Sequence, residues 1–196
     1  MENSLITKQL FTGSQVELTE LDAEKDAAAI AAWTMQPAFN RKLFRGTFKP
    51  RQAAEMKKKL QEMLKEADEN KQAIYFAIRK IDSPDLAGML WFPWVDAQHQ
   101  TAWLDMAFIE ESDLAALGQD TLDLALYYAF MELSLNRLAV RMGADEPALM
   151  YLYEENGFIR EVLRRENVFN QGRFLDEYVY AMLRTEWKEK QSGRSL

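Results

Sequence analysis

The chain has 196 residues, of which 48% are apolar, a formal net charge of −7 at pH 7 and no cysteine. This composition suits one compact domain and excludes a disordered chain, disulfides, thiolate metal sites and a membrane helix, which would need roughly 18 uninterrupted apolar residues. Lys and Arg form no basic footprint for nucleic acid, and residues 1–5 carry no export signal, so we expect a cytoplasmic protein.

The first half of the chain predicts one strand, two helices and three further strands. Polar and apolar residues alternate over 15–21, as in a half-buried strand. Strong helix formers fill 27–33, and apolar residues recur at three- and four-residue steps over 53–67. The stretch 36–50 between these helices has no clear period. Three strands follow, over 73–81, 86–95 and 102–109.

The second half predicts helices and strands in alternation. A helix over 119–135 is apolar on nearly all sides and is therefore expected to be buried. A strand over 137–142 precedes a helix that begins near Pro147 and ends at Gly157. Two strands and a fraying tail complete the chain, over 158–167, 174–184 and 188–196. This order predicts an α/β fold in which helices flank a mixed, largely antiparallel twisted sheet.

Three segments of the chain carry a family signature. Residues 152–158 read L-Y-E-E-N-G-F, close to a motif L-Y-E-K-x-G-F that ends a family's last helix. Residues 120–138 match that family's central helix and next strand, and residues 176–187 match its final strand. The chain thus resembles the GNAT superfamily of N-acetyltransferases, and most closely the branch that acetylates ribosomal-protein N-termini, polyamines and antibiotics. The resemblance implies a GNAT domain over 8–187 with flexible termini, 1–7 and 188–196.

The resemblance also implies a reaction. Acetyl-CoA would give its acetyl group directly to a primary amine, without a metal or a covalent enzyme intermediate. A carboxylate or water must take the proton of the amine, and a tyrosine commonly protonates the departing thiolate. Tyr153 lies where the family has this tyrosine. Asp105 is the only acid inside the strand 102–109 and is the candidate base.

The resemblance places acetyl-CoA after this strand, because helix N-termini receive phosphate groups through free N–H groups and the helix dipole. The expected contacts are Phe108, Ile109 and Glu110 for the pantetheine arm, Leu117, Gly118, Gln119 and Asp120 for the pyrophosphate, and Glu146 where the family usually has an asparagine. Asp113 and Ala116 replace a basic or amide residue and a glycine of the family loop. These two departures favour an alternative, a catalytically degenerate GNAT module that acts as a binding or partner-interaction protein.

Acidic residues near the expected cleft predict a cationic acceptor amine. They are Asp105, Glu110, Glu111 and Asp113. Basic residues should offset this charge near the CoA phosphates, and the candidates are Arg137, Arg141 and Arg160. The aromatics Trp91, Trp94 and Trp103 either line an acceptor cleft or lie in the sheet core. The single histidine, His99, is expected in an exposed turn, and a homodimer remains open.

Overall fold

The computed structural model describes residues 10–36, 39, 43, 49–81, 83 and 85–193. The strands are β1 (Val16–Glu20), β2 (Ile74–Lys80), β3 (Leu86–Asp96), β4 (Thr101–Phe108), β5 (Arg137–Gly143), β6 (Ile159–Asn170) and β7 (Arg173–Leu183). The helices are α1 (Ala27–Trp33), α2 (Ala53–Asn70), α3 (Glu111–Tyr127), α4 (Pro147–Glu155) and α5 (Arg184–Gly193). The α/β class predicted from the sequence is confirmed.

The seven strands form one sheet in the order β1-β2-β3-β4-β5-β7-β6. All neighbouring strands are antiparallel except β4 and β5, which run parallel. Within the described chain, β4 pairs with β5 only at residues 101–103. Beyond that point β4 stays with β3, and β5 stays paired with β7 along its whole length. The sheet therefore opens in a V between the second halves of β4 and β5.

Each face of the sheet carries its own apolar core. On one face, α1 and α2 bury Ile30, Met56 and Leu60 against β2, β3 and β4. On the other face, α3 and α4 bury residues such as Leu122 and Leu149 against the sheet. Burial of each such side chain stabilises the fold by about 1.5–3 kcal/mol. Helices therefore cover both faces of the sheet.

Helix α3 begins at Glu111, well before the predicted start at Gln119, so that prediction is wrong. Its first turn contains Glu111 and Asp113, and carboxylates stabilise the positive end of the helix dipole. Leu114, Ala115, Ala116 and Leu117 are strong helix formers, and no glycine precedes Gly118 to interrupt them. The helix turns into a π-helical segment at Tyr128–Glu132.

The C-terminal segment is helical rather than frayed up to Gly193, which corrects the predicted tail. Trp187 of α5 is buried, and its ring lies 5.4 Å from that of Phe130. The ammonium of Lys190 donates to the main-chain carbonyl of Glu155. These contacts dock α5 on the fold, and the domain bounds 8–187 stay a prediction.

Some predictions lie largely outside the described residues, namely the N-terminal segment 1–7 and most of the stretch 36–50. Among the helices that the structure describes, none is long and apolar enough to span a membrane.

Candidate functional site

The opening between β4 and β5 leads into a cavity of about 280 Å³. Four of the sequence-predicted contact residues line it together: Phe108, Ile109, Glu110 and Glu146. The first three continue the end of β4, and Glu146 precedes the first turn of α4. In the described part of the chain, β4 pairs with β5 only up to Trp103, so main-chain groups at the end of β4 near Phe108 can bond an extended ligand that carries amides.

The structure does not bring Leu117, Gly118, Gln119 and Asp120 to this cavity. All four lie inside α3, where N–H groups bond carbonyls of the preceding turn. Gly118 lets α3 and α4 approach closely, because a Cβ there would lie 3.2 Å from Leu152 Cδ2. The side-chain amide of Gln119 donates to Asn156 Oδ1 at 3.0 Å and accepts from Asn156 Nδ2 at 2.8 Å.

Asp120 fastens the start of β1 to α3. Its carboxylate accepts main-chain hydrogen bonds from Ser14, Gln15 and Val16 at 3.1, 2.8 and 3.0 Å. Partial burial raises the pKa of the Asp120 carboxyl, but these hydrogen bonds outweigh it and hold the pKa below the ordinary 3.8. The residue therefore has a structural role that the family pattern did not indicate.

The N-terminus of α3 borders the cavity and is rich in carboxylates. Glu110 and Glu111 line the cavity, and Asp113 follows in the first turn. The carboxylate of Asp113 lies 2.7 Å from the ammonium of Lys80 on β2. Lys80, and none of the three predicted arginines, thus offsets the charge of Asp113. Arg137 pairs with Glu161, and Arg160 lies over the ring of Tyr178.

Tyr153 lies on the inner face of α4, one turn after Leu149, which lines the cavity. It is 3% exposed, and its ring packs edge-on against Phe158 at 5.1 Å. Burial raises the pKa of the phenol well above its ordinary 10.0, and the charges of Asp105 and Glu146 add to the effect. The phenol is therefore protonated throughout the neutral range and can donate its proton. Tyr151, on the same helix, is 66% exposed.

A second cavity, of about 620 Å³, lies on the α1/α2 face of the sheet. Aromatic side chains line it: Tyr75, Trp91, Trp94 and Trp103. Tyr75 is opposite Trp91 across β2 and β3, and Trp94 is opposite Trp103 across β3 and β4. Trp91 is also buried in the core, whereas Trp94 is 38% exposed, and an acceptor cleft lined by these residues stays a prediction.

Asp105 belongs to this second cavity. It is opposite Trp91 in the sheet, and its carboxylate lies 3.9 Å from Arg141 Nη2. The guanidinium of Arg141 in turn lies 5.4 Å from the ring centre of Trp103. Arg141 therefore neighbours the predicted base rather than the phosphate end. The predicted acidic cluster is divided between two cavities, since Glu110 and Glu111 line the other one.

His99 lies in the turn between β3 and β4. Its ring is 2.9 Å from the carboxylate of Asp96, and its side chain is 70% exposed, as predicted for a turn residue. It lines neither of the two cavities.

The arrangement places a proton donor and a carboxylate near the V, on opposite faces of the sheet. A ligand threaded through the V from the α3/α4 face would reach a buried proton donor, Tyr153. A second ligand on the α1/α2 face would meet a carboxylate, Asp105, whose charge is felt at Tyr153. A donor of a group and its acceptor could thus meet between the two cavities.

Comparison with known proteins agrees with the sequence resemblance. The model of the acetyltransferase (GNAT) domain family matches residues 15–159. A spermidine N(1)-acetyltransferase of Vibrio cholerae is 26% identical over 92 residues, which are 47% of this chain and 53% of that protein. The matched region thus spans about half the length of the curated relative.

Two solved structures share the fold. One is a spermidine N-acetyltransferase from Vibrio cholerae in complex with CoA and spermine, with a TM-score of 0.74 and 20% identity over 89% of this chain and 99% of that one. The other is described as a probable acetyltransferase, with a TM-score of 0.76 and 20% identity over 91% of this chain and 97% of that one. At these identities the likeness concerns the fold.

Proposed function

Because the chain belongs to the GNAT acetyltransferase family, we propose that it transfers the acetyl group of acetyl-CoA to a primary amine. The observation that carries this proposal is the V between β4 and β5, with the protonated Tyr153 buried beside it. The pantetheine arm would lie along Phe108, Ile109 and Glu110, and its amides would bond main-chain groups near Phe108. The thioester that acetyl-CoA supplies would then lie between Tyr153 and Asp105.

The cationic amine first gives one proton to water. The reaction then moves one acetyl group from sulfur to nitrogen and, in net balance, one proton from nitrogen to sulfur, and water afterwards restores the protonation of Asp105 and Tyr153. The nitrogen of the neutral amine attacks the carbonyl carbon, the carbon–sulfur bond breaks, and the acetyl group stays on nitrogen. Asp105 takes the proton that the amine loses, directly or through water, and Tyr153 gives a proton to the sulfur. Burial that raises the pKa of the phenol also raises that of a thiol in the same place, which helps the sulfur to accept this proton.

The acceptor in this proposal is an amine that is cationic in solution. The similar protein of Vibrio cholerae is a spermidine N(1)-acetyltransferase, which supports a cationic amine as the acceptor. The second cavity supports it too, because the protein already holds a cation there, Arg141, against Trp103 and Asp105. Aromatic faces and carboxylates both attract ammonium groups. The cytoplasmic location expected from the sequence is part of the same proposal.

One observation favours the alternative, a GNAT module without catalysis. Residues 113–118 are helical, so their N–H groups cannot all turn towards a pyrophosphate, and the carboxylates at the start of α3 oppose phosphate. The family match and the place of Tyr153 favour the enzyme. Incubation with acetyl-CoA and a panel of amines decides between them. We expect free CoA and acetylated amine in equal amounts, whereas neither product with folded protein would contradict the enzyme.

A second copy of the chain is a proposed partner. β6 is the outermost strand, and its Ile159, Val162 and Leu163 are 56%, 42% and 52% exposed. In an antiparallel copy centred on Leu163, Arg160 would face Glu166 and Glu161 would face Arg165. Light scattering should show a dimer that Leu163→Lys converts into a monomer. A monomeric unsubstituted protein would contradict this partner.

A further inference from the structure

The geometry points to a narrower class of acceptor, an inference that rests on the proposed function. The 620 Å³ cavity of the α1/α2 face selects a primary amine with one ammonium group on an aromatic or large apolar body, in preference to a polyamine. The size of this cavity lies in the range of sites for small organic molecules.

The first argument is the lining of the cavity. Four aromatic side chains and Pro93 surround it, and they come from three adjacent strands. Each tryptophan can bury 150–250 Å² or so against a ligand. Trp94 leaves 38% of its surface exposed although its indole ring is large and mostly apolar. A ligand with an apolar body would cover this surface, whereas a flexible polar chain would not.

The second argument is the position of the carboxylate among these rings. Asp105 is directly opposite Trp91 in the sheet, and Trp103 is two residues earlier on the same face of β4. Residues directly opposite each other have Cβ atoms about 4.5–5.5 Å apart. An ammonium group held by Asp105 therefore places its substituent against an indole. The amine and its apolar body are recognised together.

The third argument is the charge of the lining. Among the described residues that line the cavity, Asp105 is the one carboxylate, and Arg141 and Arg164 are two cations. Arg164 is paired with Glu177 at 2.9 Å, so it stays fixed near the cavity. One ammonium group can lie at Asp105, but the further ammonium groups of a polyamine would approach guanidinium groups. Repulsion between like charges disfavours such a ligand.

The experiment measures kcat/KM of the full chain for three amines at saturating acetyl-CoA. They are 2-phenylethylamine, propylamine, which has the same charge but a small body, and spermidine. We expect 2-phenylethylamine to exceed both others by about tenfold or more, the scale on which an apolar pocket discriminates. Trp94→Ala should remove most of this advantage, so that the rates with 2-phenylethylamine and with propylamine become nearly equal. Phe169→Ala, which truncates an exposed aromatic in the β6–β7 hairpin, is the matched control and should change neither rate.

Other outcomes of this experiment would overturn either the acceptor preference or the proposed function. If spermidine is the best acceptor, or if Trp94→Ala lowers all three rates equally, the preference for an amine with an aromatic body is overturned. The proposed acetyltransferase function would still be supported in both cases. If no amine is acetylated, the proposed function fails, and tryptophan fluorescence tests the cavity by itself. Quenching by 2-phenylethylamine that Trp94→Ala weakens would support the selection. No quenching, or equal quenching by spermidine, would overturn it.

Discussion

Replacement of Tyr153 by Phe removes one hydroxyl group and leaves the packing in place. The ring would keep its contact with Phe158 at 5.1 Å, so the free energy of unfolding should change by about 1 kcal/mol or less. Loss of a general acid commonly lowers turnover by about 10²-fold or more. We therefore expect kcat to fall by about that factor, while the dissociation constant of acetyl-CoA and the thermal midpoint stay nearly unchanged.

The pH dependence follows from the same burial. The pKa of Tyr153 is raised well above 10.0, so the phenol keeps its proton at every pH below that value. The rate of the unsubstituted protein should thus show no fall from deprotonation of this residue between pH 7 and about 10. The assay is the release of free CoA thiol from acetyl-CoA in the presence of an amine, followed at saturating concentrations of both substrates.

The matched control is Tyr151→Phe on the same helix. Tyr151 is 66% exposed and lines neither of the two cavities described above. The turnover rate of the Tyr151→Phe variant should therefore equal that of the unsubstituted protein. Equal rates for the Tyr153 variant as well would refute the assignment and leave Tyr153 as a packing residue.

Three further predictions concern an ion pair beside the cavity, the hydrogen bonds of Asp120 and the net charge of the chain. Asp113→Asn removes a negative charge and frees Lys80, which lies 2.7 Å away, so calorimetry should show acetyl-CoA binding about threefold more tightly. The factor corresponds to a unit charge roughly 8 Å from a phosphate at an effective dielectric constant of about 60. An unchanged dissociation constant would place the phosphates elsewhere. Asp120→Ala should lower the free energy of unfolding by about 1–3 kcal/mol in urea titrations, because three main-chain donors lose their partner. Folding lowers the pKa of Asp120, so the contribution of its carboxylate to the free energy of unfolding is present above pH 3.8 and is lost as the pH falls through the folded-state pKa. The Asp120→Ala variant should therefore lose less stability in acid than the unsubstituted protein. Parallel curves of stability against pH for the two proteins would refute this linkage. Because the chain carries a net charge of −7, the rate with a cationic amine should fall as salt is added, and a rate indifferent to salt would contradict attraction of the amine by the charge of the whole protein.

The sequence predicted most of the fold because its local patterns agree with its tertiary contacts. The alternation over 15–21 became β1, and the helical period over 53–67 became α2. The motif at 152–158 correctly indicated the end of α4, because Gly157 has φ 88°, a conformation that favours glycine. Tyr153 of this motif lies on the buried face of the helix. The four residues Phe108, Ile109, Glu110 and Glu146 were also predicted, and the structure places them around one cavity.

The start of α3 differs from the prediction, because the local helix propensity of these residues prevails over the loop that the family resemblance indicates. In the family a glycine-rich loop precedes the helix, but here the run from Asp113 to Leu117 contains no glycine and favours helix formation. The pyrophosphate contacts expected at Leu117, Gly118, Gln119 and Asp120 therefore remain predictions, and the structure places these residues inside α3.

The ion pairs of the site could not be read from the sequence. Lys80 and Asp113 are distant in the chain, as are Arg141 and Asp105, and they meet because of the order of strands in the sheet. The strand period did show that Trp103 and Asp105 share a face. It could not show that β5 brings Arg141 to that face, because this requires the parallel pairing of β4 with β5.

A structure of the protein with bound acetyl-CoA tests the central claim most directly. We predict that the pantetheine arm lies in the V between β4 and β5, that its amides bond the main chain near Phe108, and that the sulfur lies within hydrogen-bond distance of the Tyr153 hydroxyl. An acetyl-CoA bound outside the V, or a sulfur remote from Tyr153, would contradict the account.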